Sequence, residues 1–161
     1  MEVDYSIQYA KWHKDDNTHF SEIAAFYFRL LGPVLQNIDT ECKILDVGCG
    51  TGLLVNALLL QGYRHARGID LSRQQIAVAQ RRRLPCTQTD AAYIYGLADA
   101  EPSSLDAVFL MDVLEHIPVG EQMRFVGALH NLLKPMGRLV ISVPNATSAF
   151  AARWRYMDWT H

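Results

Sequence analysis

This chain of 161 residues predicts an α/β fold built on a parallel sheet, and three observations carry the prediction. Short strand-like runs alternate along it with stretches that are apolar at helical spacing. The first run, CKILDVG over 42 to 48, leads directly into a glycine-rich turn, ILDVGCGTG over 44 to 52. The helical stretches carry capping residues and glycine stops where helices begin and end.

Taken in order, NTHFSEIAAFYFRLLGPVLQNI reads as a helical region interrupted near Gly32 and Pro33, with Asn17 or Thr18 as its cap. Its aromatics Phe20, Phe26, Tyr27 and Phe28 are too many for one narrow core face. Packing against the sheet is their ordinary role; lining a pocket is the alternative. CKILDVG is the first strand, and TGLLVNALLLQ, over 51 to 61, is a helix that stops at Gly62. RGID (67 to 70) is the second strand, after which Ser72 caps the helix SRQQIAVAQRRR. Arg81, Arg82 and Arg83 then lie where the helix dipole favours cations, which makes them a solvated helix end rather than an RNA patch. LPCTQTD (84 to 90), LDAVFLMD (105 to 112) and GRLVISVP (137 to 144) are strands three to five, with a helix over 120 to 134 closed by the turn KPMG.

Half of the residues are hydrophobic, enough for one domain with a substantial core, and no repeat, low-complexity segment or linker divides the chain. A formal charge of -2 and a pI near 6.3 argue against a dedicated nucleic-acid or anionic-membrane binder and for a small or neutral acceptor. Cys42, Cys49 and Cys86 form no CxxC pair, nothing at the N-terminus reads as a secretory signal, and the apolar runs fall short of a membrane span. The expectation is a reduced, cytoplasmic protein. The histidines have no HxxxH or HEH spacing, so no metal site is expected.

In a doubly wound sheet, ligands bind beyond the carboxyl ends of the strands, and glycines in the first β-to-α turn let a ligand approach the backbone. The helix starting near Thr51 aims free N–H groups at the same place. The turn therefore reads as a nucleotide-type cradle. Its G-x-G-x-G pattern, preceded by Asp46, is neither the dinucleotide G-x-G-x-x-G nor a phosphate loop ending in GK[ST]. Asp70 ends the second strand about twenty residues later, where an acid accepts from ribose hydroxyls.

With these residues in order, ILDVGCGTG, GIDLS, Asp90 at the end of strand three, LDAVFLMDVLEHIP and KPMGRLVISVPN, the chain resembles the class I S-adenosylmethionine-dependent methyltransferases over residues 42 to 145. The resemblance implies a Rossmann-like sheet ordered 3-2-1-4-5. It further implies a single domain: an N-terminal helical cap over 1–40, a cofactor-binding core over 41–145 and a C-terminal helical segment over 146–161. The cofactor implied is S-adenosyl-L-methionine, released as S-adenosyl-L-homocysteine.

Position by position, the resemblance places Gly48, Gly50 and Gly52 around the methionine part of the cofactor, with Cys49 counted among the binding residues. Asp46 organises the turn and reaches the cofactor's amino group directly or through water. Asp70 holds the ribose hydroxyls and Leu71 packs on adenine. Asp90 accepts from the exocyclic amine while Ala91 donates its backbone N–H to the ring; the alternative for Asp90 is a helix cap for AAYIYGLA. Met111 offers a carbonyl or thioether edge near the sulfonium.

Methyl transfer is largely in-line positioning, with a base where the acceptor holds a proton. His116, in the segment Asp112 to Pro118 after strand four, has the pKa class for that base, the alternative being a structural residue at a helix start that pairs with Glu115 or a backbone carbonyl. Glu115 and Asp112 are the lesser candidates. His13 and His19 belong to an N-terminal segment that in similar enzymes covers the cofactor, or else to an ordinary polar helix entry. His65, His130 and His161 read as surface residues.

Members of the family continue past strand five with a helix and an antiparallel strand pair, whereas this chain stops at RWRYMDWTH. A longer natural protein is expected. Trp154, Arg155, Tyr156 and Trp159 form either an acceptor surface or an amphipathic helix without its partner. Strand five is left as an open edge along Leu139, Val140, Ile141 and Val143, so it is expected to be covered by the C-terminal segment or by a second chain, giving a homodimer. Two functions fit: methyl transfer to a hydroxyl or amine of a small molecule or saccharide, and a cofactor-binding domain without catalysis of its own.

Overall fold

The computed structural model describes residues 16–36, 38–145 and 147. Helix α1 (Asn17–Leu35) precedes β1 (Lys43–Val47), α2 (Leu53–Leu60), β2 (His65–Asp70), α3 (Arg73–Arg81) and β3 (Cys86–Gln88). Then follow α4 (Ala91–Ala100), β4 (Leu105–Met111), a 3-10 turn (Leu114–His116), α5 (Val119–Leu132) and β5 (Leu133–Ser142). All strand pairs are parallel and the sheet order is β3-β2-β1-β4-β5, the Rossmann-like order expected.

Period-two alternation divides the sheet into two packed faces. Leu45 and Val47 of β1, with Val108 and Leu110 of β4, meet α4 and α5 through Ile94, Phe125, Leu129 and Leu132. Ile44, Ala107 and Phe109 face the other way, against Leu31 and Leu35 of α1 and Leu54 and Leu58 of α2. A smaller cluster of Cys49, Val55, Ile76, Ala79 and Cys86 joins α2 to α3. Asp46 shares the parity of Ile44, and Met111 that of Phe109. Each therefore points toward the α1 side at the carboxyl end of the sheet.

Several expectations are corrected. Helix α1 is continuous through Gly32 and Pro33, and Asp16 caps it, accepting from His19 N at 2.7 Å. Pro33 falls in the last turn of the helix. Arg138 of β5 donates to the carbonyls of Val34 and Gln36, satisfying the end of the helix from across the sheet. Strand β2 starts earlier than expected and β3 is shorter. KPMG does not precede the last strand but bulges within it: Leu105 pairs with Leu133 and Ala107 with Arg138, while Met136 takes φ +67°. Lys134 anchors the bulge by donating to both oxygens of Asp106 at 2.8 Å.

Arg82 is not simply a solvated helix end. Its guanidinium stacks over the ring of buried Phe20, 3.8 Å from the centroid, and donates to Asn17 Oδ1 at 3.0 Å, tying the end of α3 to the start of α1. Phe26 and Phe28 are exposed, and Tyr27 lies between them, half-buried. Among the described residues β5 pairs only with β4, and Ile141 and Val143 are exposed. Trp154, Arg155, Tyr156, Trp159, His13 and His161, and with them the expected covering of the β5 edge, lie outside the described residues.

Candidate active site

The carboxyl ends of β1, β2 and β4 open into a cavity of about 1180 Å³ whose wall includes Tyr27, Asp46, Asp70, Asp90, Asp112 and His116. Residues 48–51 of the glycine turn line it, and Gly48, Gly50 and Gly52 take φ +76°, +55° and +81°, a region that favours glycine. What the missing side chains make room for is protein as much as ligand. A Cβ on Gly48 would overlap Val113 Cγ2; on Gly50 it would stand 2.6 Å from Gln75 Oε1; on Gly52, 2.8 Å from Leu84 Cδ1. Gly52 begins α2 in the left-handed conformation, with Leu84 and Cys86 beside the place of its missing side chain. Cys49 lines the cavity, but its side chain packs on Gly68 and its thiol is held by Cys86, which with burial pushes its pKa up. Any contact of Cys49 with a ligand therefore falls to its backbone.

Asp70 fastens the turn. Its Oδ2 accepts from Gly50 N at 2.8 Å and its Oδ1 from Ser72 N at 2.7 Å, while the Ser72 hydroxyl caps α3 by accepting from Gln75 N. Burial raises the Asp70 pKa against the opposing pull of those two N–H donors. Each oxygen keeps a free lone pair, so the carboxylate can accept from a diol while holding the turn. Asp46 is 2% exposed, and burial, together with the charge of Asp70, pushes its pKa up to about 8. Tyr27 is the residue of α1 that reaches the cavity; burial, then the charges of Asp46 and Asp112, hold its phenol protonated far above neutrality.

Leu71 is 67% exposed at the lip of the cavity, an apolar surface available for stacking. Asp90 caps α4, its Oδ1 accepting from Tyr93 N at 3.2 Å as in its alternative reading, and the residue lines the cavity. Ala91 opens α4. Met111 is half-buried on the wall at the end of β4. Asp112 follows it at φ +55°, pinned to β5 by its N–H to Ser142 O (2.9 Å) and by the Ser142 hydroxyl to its Oδ1 (3.1 Å). His116, on the 3-10 turn, is half-buried and faces the cavity, whereas Glu115 does not line it. His19 lies on α1 away from the cavity, and His65 and His130 are exposed as expected, His65 beside Glu41. Among the described residues no group of three His, Cys, Asp or Glu is arranged to hold a metal, the cysteines are free, and no helix is long and apolar enough to cross a membrane.

The site residues that sequence reasoning missed are Gln75 and Thr51, both buried on the wall. No local signal marks Gln75, which reads as one more polar residue of an amphipathic helix.

A family model described as a methyltransferase domain matches residues 16–161. The chain belongs to this methyltransferase domain family. Its family's cofactor is S-adenosylmethionine, and the residues present suit one: an acid at the end of β2 with free lone pairs, a buried acid beside the turn and an apolar lip. The ubiquinone biosynthesis O-methyltransferase of Xylella fastidiosa (strain 9a5c) is 42% identical over 110 residues, 66% of this chain and 44% of that protein. The enzyme of the same name from Neisseria meningitidis serogroup C is 35% identical over 107 residues, 64% of this chain and 44% of that protein. The chain thus spans less than half the length of these relatives. A SAM-dependent methyltransferase from Archaeoglobus fulgidus shares the fold at TM-score 0.72 and 23% identity, over 88% of this chain and 61% of its own. The [4+2]-cyclase SpnF is 28% identical at TM-score 0.53, over 70% of this chain and 43% of its own.

Proposed function

We propose that this domain transfers a methyl group from S-adenosylmethionine to a hydroxyl oxygen of a small molecule. The observation that carries the reading is the placement of Asp46, Asp70 and Asp90 around one cavity at the carboxyl ends of β1 to β3, with His116 on the wall beyond β4. The names of the two curated relatives support oxygen as the atom methylated and a small molecule, rather than a saccharide or an amine, as the acceptor.

Bound S-adenosylmethionine supplies an electrophilic methyl group on a sulfonium centre. Asp70 holds the ribose hydroxyls, Leu71 packs on the adenine, and Asp90 accepts from its exocyclic amine while Ala91 donates its N–H to the ring. Asp46 takes the cofactor's amino group, and that contact favours its ionised form. Met111 edges the reacting centre. His116 would take the proton that the acceptor's hydroxyl gives up. Tyr27 stays protonated and serves only as a hydrogen-bond donor.

Calorimetry with S-adenosylmethionine, S-adenosylhomocysteine and NAD, followed by a methyl-transfer screen over phenols, quinol-like compounds and sugars, tests the reading. Binding of the first two and methylation of a hydroxyl are expected. Binding without transfer to any acceptor would favour a second reading, a cofactor-binding domain without catalysis of its own. Two observations speak for that alternative: the chain spans 44% of its curated relatives, and one solved relative is a cyclase. Selective binding of NAD would end both.

A further inference from the structure

Gln75 is 5% exposed, yet its Oε1 has no hydrogen-bond partner among the described residues, and neither has the buried hydroxyl of Thr51. Both residues belong to the wall of the cofactor cavity. Buried polar groups are nearly always paired, so two orphans on one wall mark a place where a partner arrives from outside the chain. The nearby Gly50 N–H does not supply it, being given to Asp70. The amide lies close against the turn: a Cβ at position 50 would stand 2.6 Å from its oxygen.

We infer that Gln75 is a cofactor-contacting residue, its amide meeting the ribose side of the nucleoside next to Asp70. This rests on the proposed S-adenosylmethionine site and adds to it a contact outside the family motif. One short turn joins the two residues, since Gln75 N is capped by Ser72 Oγ and Ser72 N is bound by Asp70, and both line the cavity. An amide carries a donor and an acceptor, and rotation about Cγ–Cδ interchanges them. It therefore suits a hydroxyl, which is both. Aspartate supplies only acceptors, so the pair complements a sugar diol better than either residue alone.

The near-isosteric substitution Gln75→Met separates a ligand contact from a structural support. A buried amide without a partner costs the free protein stability, and methionine removes that cost. The expected result is an unchanged or higher Tm without ligand, together with S-adenosylhomocysteine binding at least fivefold weaker by calorimetry. Affinity within twofold of wild type would overturn the inference. So would a weaker affinity accompanied by a Tm several degrees lower without ligand, since Gln75 would then be holding the turn in shape. If the wild-type protein does not bind S-adenosylhomocysteine at all, the proposed function itself fails, which is a different outcome from an unaffected variant.

Discussion

Gly50 donates its backbone N–H to Oδ2 of Asp70 at 2.8 Å, across twenty residues of sequence. The acid that the sequence assigns to a ribose is thus also the clasp of the glycine turn, its second oxygen holding Ser72 N. Binding and architecture are combined in one carboxylate.

Replacement of Asp70 should therefore show twice. Each hydrogen bond to a charged group contributes about 1.5–3 kcal/mol, so Asp70→Ala is expected to weaken S-adenosylhomocysteine binding at least tenfold and also to lower the Tm of the free protein. Calorimetry and thermal melts measure the two effects. Unchanged affinity would remove Asp70 from the cofactor site.

Asp46 predicts a pH dependence. Its folded pKa lies near 8, against about 3.9 in an unfolded chain, so between those values the folded protein holds the additional proton. Stability should accordingly fall as pH rises from about 4 to about 8, and it should level off above the folded pKa. In Asp46→Asn that slope should flatten in melts across pH 5 to 9. Because the cofactor's ammonium favours the ionised acid, binding near neutrality should release a proton, and affinity should tighten toward about pH 8. Calorimetry in buffers of different ionisation enthalpy reads the released proton directly, and none should be released by Asp46→Asn.

Gly48 makes a steric prediction. A Cβ there overlaps Val113 Cγ2 and φ is +76°, so Gly48→Ala should cost about 1–3 kcal/mol from overpacking, with the backbone strain in addition. Adding Val113→Ala should return the overpacking part and leave the strain. Denaturant melts of the single and double variants test this; no recovery in the double variant would assign the whole cost to φ.

The chemical role of His116 is tested by His116→Ala, for which kcat on a hydroxyl acceptor should fall by roughly 10² while S-adenosylhomocysteine affinity stays near wild type. A loss below threefold would return His116 to a structural role on its turn.

What the sequence determined by itself was whatever short-range chemistry encodes. The strand-turn-helix of ILDVGCGTG, the acid after β2, the Ser72 cap and the alternation of strands and helices depend on neighbours a few residues apart, and the parallel sheet in the order β3-β2-β1-β4-β5 agrees with them. Tertiary contacts decided the rest. Helix α1 runs through Gly32 and Pro33 because Arg138, more than a hundred residues away, satisfies its last carbonyls. KPMG became a bulge because Lys134 reaches Asp106 on the neighbouring strand. At Gly52, Leu84 and Cys86 fill the space a side chain would take, a constraint that comes from the strand and helix packed beside the turn. No local pattern set Gln75 apart until the fold laid it against Gly50. In each case the deciding force acts between residues far apart in the chain, where burial and unmet hydrogen bonds outweigh local preference, and no local pattern records it.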